Sequence, residues 1–280
     1  MPEFSIIIPT HNRASRIGRA IESVLAQSTN NWELIIVDDG STDGTRDSLD
    51  GYLNKKEIKY IYQQHAGASA ARNTGVEHAS ANYLIFLDSD DKLDASLLEE
   101  LKAGNYNNYD MIFWHVKKIF NDRTSTWKAT KLGKMYNGIE ASFLSGSVCY
   151  RKKLIEDVGG FDPELHFSEN YELGMRISQR ENNETLIIPK FFMYYYVSKK
   201  DLDYSELTNK LTSLKHLLQK HKQLYLKDSF AYSRLIYQIG FINEKLGNKK
   251  SALEFYHKAS KIRFFYWKPL VKRLIFLFRK

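Results

Sequence analysis

Cysteine is almost missing: Cys149 is the only one in 280 residues. A single thiol excludes an internal disulfide framework and suits a reducing compartment. The opening residues carry no basic leader, because a strand-like run begins at Phe4, so no secretory signal is expected and cytoplasm is the default location. No Gly-rich turn follows that run, which ends in Pro9-Thr-His-Asn-Arg13, and this argues against a nicotinamide-binding dehydrogenase. A Walker loop and a Gly-X-Ser-X-Gly elbow are absent as well. His11, His65, His115 and His166 show no ligand spacing and read as structural or substrate-lining. Cys149, beside an expected strand, reads as a small core residue rather than a nucleophile.

Acidic residues are missing from one segment only. Between Phe255 and Lys280 there are eight Lys or Arg and no Asp or Glu, within a formal net charge of +8. Without them the chain holds 33 basic and 33 acidic residues, so its body is neutral and the excess belongs to a terminal appendage. That location excludes a general basic groove, and nucleic acid is not an expected partner.

What is present is enough apolar material, 43% of residues, for one large domain with an appendage. Phe4–Ile8, Trp32–Val37, Ile58–Tyr62 and Tyr83–Leu87 read as strands. Helical spacing separates them: Ile17, Ala20, Ile21, Val24 and Leu25, then a helix begun at Asp43 and running through Leu53, then Gly67 to His78. Such alternation predicts a parallel, doubly wound α/β sheet, in which ligands bind beyond the carboxyl ends of the strands. Three polar loops meet at that rim: Thr10–Arg13, Asp38–Ser41 and Asp88–Asp91. The last places three carboxylates within four residues. Either a divalent cation relieves their repulsion or they form a solvated turn that caps the following helix.

Beyond a polar link at 104–109 the pattern becomes mixed. Strands are expected at Met111–Val116, Gly146–Tyr150, Thr185–Ile188 and Phe191–Val197, with short ones up to Gly138, a helical turn at Lys152–Val158 and a helix over Glu169–Arg180. From Tyr204 onward long helices are predicted. Gly240, Gly247, Ala252, Tyr256 and Ala259 resemble one tetratricopeptide hairpin, although close packing in any helical pair demands the same small residues. Pro269 onward reads as a helix with Leu270, Val271, Leu274, Ile275, Leu277 and Phe278 on one arc and Lys272, Arg273, Arg279 and Lys280 on the other. It is too short to span a bilayer. With Phe264, Phe265, Tyr266 and Trp267 before it, it suits either an anionic membrane surface or docking on the protein.

Taken together, Pro9-Thr-His-Asn-Arg13, Val37-Asp-Asp-Gly-Ser-Thr-Asp-Gly44, Gly67-Ala-Ser-Ala-Ala-Arg-Asn-Thr-Gly75, Phe86-Leu-Asp-Ser-Asp-Asp91 and Gly160-Phe-Asp-Pro-Glu164 resemble the inverting family 2 glycosyltransferases of GT-A fold. The resemblance covers residues 1–200, as a nucleotide-binding half (1–103) and an acceptor half (104–200), followed by a helical extension (201–262) and a basic tail (263–280). It implies a UDP-sugar donor, a glycan or lipid-linked acceptor in surface polysaccharide synthesis, and manganese or magnesium as cofactor. By it, Pro9, Thr10 and Arg13 line the nucleotide pocket, Asp38 and Asp39 bond the uracil or ribose, and Arg72 holds the donor. Asp88 lies near the ribose or diphosphate, Asp90 ligates the metal, and Asp91 faces the acceptor sugar.

One position departs from the family pattern. Ser168-Glu-Asn-Tyr-Glu-Leu-Gly-Met-Arg176 carries Asn170 where the family's general base, an Asp, is expected, and a neutral amide accepts no proton. Glu169 is the favoured substitute, with Asp91 and Glu172 as alternatives, and Glu169 also suits a simple helix-dipole role. The substitution leaves open a protein that binds donor without turnover and recruits partners through its helices.

Overall fold

The computed structural model describes residues 1–104, 106–197, 203–263 and 265–278, with side chains to Leu274. Its centre is the apolar run nearest the N-terminus: β1 (Phe4–Thr10) and β2 (Trp32–Asp39) are buried at every position. Strands buried on both faces belong in the middle of a covered parallel sheet. β1 pairs in parallel with β2 on one side and with β4 (Tyr83–Phe86) on the other, while β3 (Ile58–Gln63) extends the sheet beyond β2. The crossovers include α1 (Ile17–Leu25), which buries Ile17, Ala20, Ile21 and Val24, and α2 (Ala68–His78). α2 approaches β1 so closely that a Cβ on Gly75 would stand 2.3 Å from Ile7 Cγ2.

The sheet continues through strands of both directions. β5 (Lys92–Leu93) and α3 (Leu97–Ala103) follow β4 in the chain, and then β6 (Met111–Ile119), β7 (Thr124–Trp127), β8 (Thr130–Lys131), β9 (Glu140–Ala141), β10 (Val148–Arg151) and β11 (Thr185–Tyr196). The nine-stranded order is β3-β2-β1-β4-β10-β6-β11-β5 with β7 beside β6, and β8 pairs β9 separately. β10 is antiparallel to both its neighbours, whereas β11 runs parallel to β6. This is the expected mostly parallel sheet with a mixed second half. α4 (Lys152–Asp157) and α5 (Glu169–Ser178) lie between β10 and β11 in the chain. Cys149 is fully buried, and burial pushes its thiol up, away from reactivity.

Two expected elements differ. The segment from Asp43 to Leu53 holds turns and one short 3-10 stretch, Asp47–Leu49, rather than a helix. Asp43 spends its carboxylate on Thr45 N and Oγ1 and on Ala14 N, and Gly44, Gly51 and three further Asp or Ser residues weaken helical continuation. The two strands expected at 185–188 and 191–197 are one strand, β11, with register shifts between Ile188 and Met193. Pro189 has no N–H for the ladder, so the strand bulges there instead of ending.

Contacts divide the chain into two compact units. The first comprises Met1–Lys131, Glu140–Pro163 and Glu169–Lys199; the second comprises Leu132–Ile139, Glu164–Ser168 and Lys200–Lys280. The second holds α6 (Tyr204–Lys220), α7 (Lys222–Lys227), α8 (Ser229–Lys245), α9 (Lys249–Ile262) and α10 (Trp267–Phe278). Asp203 and Glu206 form a reciprocal capping box on α6. In the α8–α9 pair Gly240 lies against the Tyr256 ring, Gly247 turns the chain at φ +82°, and Tyr256 donates its hydroxyl to Glu244. Phe264, Arg279, Lys280 and the side chains of Ile275, Leu277 and Phe278, named for the tail pattern, lie outside the described residues. No described helix is long and apolar enough to cross a membrane.

At the amino edge of the sheet, Glu33 is 5% exposed. It accepts from Ser5 Oγ (2.6 Å), Ser80 N (2.6 Å) and Oγ (2.7 Å), and Lys59 Nζ (2.7 Å), which ties β1, β2, β3 and the end of α2 together. Burial alone would raise its pKa, but these donors outweigh burial and bring it from 4.5 to about 2. A depressed carboxylate contributes stability that is complete above the unfolded-state value and is lost as pH falls through the folded one. Glu33→Gln therefore lowers the melting temperature at pH 6, and the gap to wild type closes between pH 4.5 and about 2. A gap that stays constant across a thermal-denaturation pH series contradicts this.

Candidate functional site

β1, β2 and β4 end at the same rim, where strand order reverses around β1. Asn12 stitches the first two loops together. Its backbone is left-handed (φ 52°), a conformation Asn tolerates, and its Oδ1 accepts from Thr42 N (2.8 Å) and Asp43 N (3.3 Å) while its own N–H donates to Ser41 Oγ (2.9 Å). Arg13 N donates to Thr45 Oγ1 (2.8 Å). The loops enclose a cavity of about 350 Å³ lined by Pro9, Thr10, Arg13, Asp39, Arg72, Asp88, Asp90 and Glu169 among others. Eight of the ten site residues expected from the sequence thus share one wall. Among the described residues Thr10 Oγ1 and Arg72 Nε, both buried there, have no hydrogen-bond partner.

The other two are placed differently. Asp38 is 1% exposed and turned from the cavity, because neighbouring residues of a strand face opposite sides. Its oxygens accept from Ser41 N and the Tyr60 hydroxyl, both at 2.9 Å. Asp91, expected to face an acceptor sugar, is also 1% exposed and outside the lining. Its Oδ1 accepts from Tyr196 N at 2.9 Å, and among the described residues its Oδ2 has no hydrogen-bond partner. Burial first, then Asp88 and Asp90, push its pKa up to about 9 against the Tyr196 bond and Arg19.

Sequence spacing gave no histidine cluster, yet the fold makes one. His11 and His65 bring their rings to 4.3 Å, and each turns Nδ1 to the Asp39 carbonyl, at 2.8 and 3.0 Å. One ligand atom each from His11, Asp39 and His65 lies within 4.8 Å of the others, a separation that admits a metal ion. The Asp39 carboxylate already accepts from Gln63 Nε2 (2.7 Å), Ala66 N (2.9 Å), Gly67 N (2.8 Å) and His65 Nδ1 (2.8 Å). Those donors fill the roughly four acceptor positions of a carboxylate. A new partner at Asp39 must displace one, and His65, whose side chain is 61% exposed, is the one able to leave. The signal for this cluster is the parallel pairing of β1, β2 and β3, which no local spacing carries.

Arg72 holds the centre. Its guanidinium, 3% exposed, donates Nη2 to Asp88 Oδ1 at 2.8 Å and Nη1 to Glu169 Oε1 at 3.0 Å. Burial disfavours its charge, but the two carboxylates outweigh burial and hold it protonated. Asp90 lies 3.7 Å from Arg16 and its carbonyl accepts from Arg19 Nη1 at 3.2 Å. Glu169 opens α5 and Asn170 follows it, half-buried. Glu172 is fully buried, and its carboxylate accepts from Arg176 at 2.7 to 3.0 Å. Arg176 also donates to the carbonyls of Val158 and Gly160, so Glu172 orders the Gly-Gly bend and does not face the cavity.

The oxygen-only donor set of Asp88 and Asp90, each about one-third exposed, fits a hard divalent cation such as Mg²⁺ or Mn²⁺. A switch-point cavity with an acidic loop after β4, on a sheet that turns mixed in its second half, is the GT-A architecture. The family model described as glycosyl transferase family 2 matches residues 5–160, and the chain belongs to that family. It is 46% identical over 101 residues to the putative teichuronic acid biosynthesis glycosyltransferase TuaG of Bacillus subtilis strain 168, covering 35% of this chain and 40% of that protein. It is 39% identical over 117 residues to the UDP-Glc:alpha-D-GlcNAc-diphosphoundecaprenol beta-1,3-glucosyltransferase WfgD of Escherichia coli, covering 39% and 46%. The matches thus span less than half of either relative. S. aureus TarS 1–349, crystallised in complex with UDP-GlcNAc, superposes with a TM-score of 0.65 at 20% identity, over 98% of this chain and 92% of that one.

Removing the cation at the centre strands two acids. Arg72→Met is expected to destabilise the first unit by about 3 kcal/mol, the low end for a broken buried pair because Asp88 and Glu169 can be rehydrated. Urea unfolding measures it, and a loss below about 1 kcal/mol would mean the bridge behaves as an ordinary surface pair.

Proposed function

We propose that the protein transfers a sugar, a hexose or its derivative, from a UDP-linked donor to a glycan or lipid-linked acceptor in surface polysaccharide synthesis, with inversion at the anomeric carbon. The observation that carries this reading is the Arg72 bridge, which sets Asp88 of the acidic loop and Glu169 of α5 on one cavity wall. Family membership and relatives named for teichuronic acid and diphosphoundecaprenol-linked sugars support it. A TarS complex named with UDP-GlcNAc supports the donor class.

In this reading the nucleobase enters beside Asp39, displacing His65, and Thr10 Oγ1 takes a hydrogen bond it otherwise lacks. Arg13 and Arg72 suit phosphate oxygens. Asp90, with Asp88, would hold a divalent cation, whose positive charge would offset the charge developing on the diphosphate. Glu169, anchored through Oε1 by Arg72, takes the proton from the acceptor hydroxyl as that oxygen attacks. Asn170 stands beside it as an amide that can orient the acceptor but not deprotonate it.

The tail supports a place at the inner face of the membrane. Phe265, Trp267, Val271 and Leu274 are 90%, 62%, 41% and 54% exposed, amid the basic residues of the last segment, which suits adsorption to an anionic lipid surface. A second reading, donor binding without turnover by a protein that recruits partners through its helices, rests on Asn170 and the hairpin-like α8–α9 pair and is separated by assay.

Glu169→Gln is expected to lower sugar transfer by about 10²–10⁴-fold while leaving the UDP-induced rise in melting temperature in place. Full activity in this variant removes Glu169 from the role of base. A wild-type protein that binds UDP with manganese but gains transfer only as Asn170→Asp supports the second reading, and one stabilised by no nucleotide sugar contradicts both.

A further inference from the structure

β6 carries two consecutive lysines that a strand must send to opposite faces. Lys117 lies 5.7 Å from the Phe191 ring and 5.5 Å from that of Tyr194, and its face also holds Asp94, which accepts from the Tyr194 hydroxyl at 3.1 Å and feels the lysine's charge. The other face is not balanced in this way. Lys118 Nζ stands 3.7 Å over the Trp127 ring and 5.9 Å from that of Tyr195, and among the described residues it has no carboxylate partner. Burial lowers its pKa and no acid offsets that. Ring faces alone return about 0.5–2 kcal/mol to a cation. Trp127 and Tyr195 therefore hold a half-buried charge in a fixed place without neutralising it.

Position gives this charge a purpose. Tyr195 pairs with Lys118 across β11 and β6, and it lies within electrostatic reach of the acidic loop, since burial first and then Asp91, Asp88 and Asp90 raise its pKa. The next residue, Tyr196, donates its N–H to Asp91. The β6–β7 hairpin is itself basic: Lys117, Lys118, Arg123 and Lys128 against Asp122. A neutral sugar placed there would leave Lys118 uncompensated, whereas an acidic one completes the pair.

We propose that Lys118, Trp127 and Tyr195 form an acceptor subsite that receives the anionic group of an acidic glycan. The proposal rests on the glycosyltransferase reading and narrows its acceptor class. A carboxylate or phosphodiester oxygen pairs with the Lys118 ammonium, and the sugar's C–H face packs on the aromatic edges, whose amphipathic rings suit a surface half apolar and half wet.

The test is calorimetric titration of the full chain at low salt with three probes: tetragalacturonate, a glycerol-phosphate tetramer and neutral maltotetraose. Both acidic probes are expected to bind, maltotetraose at least about tenfold more weakly, and Lys118→Met to lose about tenfold for the acidic probes while Lys118→Arg retains them. UDP with manganese is titrated into each protein in parallel and is expected to bind all of them equally. Equal binding of acidic probes by Lys118→Met, equal binding of maltotetraose, or no binding of either acidic probe overturns the subsite. Failure of UDP to bind wild type counts against the donor reading alone, so the two failures are told apart.

Discussion

One buried guanidinium organises the candidate site. Arg72 is almost without solvent, and a lone charge in that position would be costly; the carboxylates of Asp88 and Glu169 make it tenable. In return it fixes two acids that arrive from distant parts of the chain, one after β4 and one at the start of α5. Everything the cavity can do chemically depends on those two being held side by side without cancelling the exposed oxygen surface that Asp88 and Asp90 present.

Around that bridge the first unit spends polar groups on rigidity. Asn12, Asp38, Asp39 and Asp43 satisfy loop N–H groups, so the rim is ordered before any ligand enters. Asp39 is the extreme case, with its acceptor positions filled by α2's amino end, Gln63 and His65. Glu33 does similar work at the opposite edge. Asp91 is spent on neither loop nor ligand. It supports β11 through Tyr196 N, and burial first, then its acidic neighbours, raise its pKa.

Much of this was legible beforehand. Continuous apolar runs of four to eight residues stopped by Pro, Gly or Asp announced the strands, and their loops announced the rim. The helix expected at Asp43–Leu53 failed because Asp and Ser side chains satisfied the turn locally, a competition that hydrophobic spacing does not register. The strands expected at Thr185–Ile188 and Phe191–Val197 are one, because the missing donor at Pro189 only bulges a strand whose neighbours keep pairing.

The strand–helix alternation, the acidic loop, the family, and the replacement of an expected Asp by Asn170 are properties of residue order and need no coordinates. Which acids face the cavity follows from how the chain packs. Asp38 and Asp39 are adjacent in the chain and so are Asp90 and Asp91, yet one of each pair lines the cavity and the other is buried away from it. The pleat and the packing of β3 and β11, not residue type, make that choice. The same is true of the His11–His65 contact and of Lys118 between Trp127 and Tyr195: side chains far apart in sequence meet only after strands pair in register.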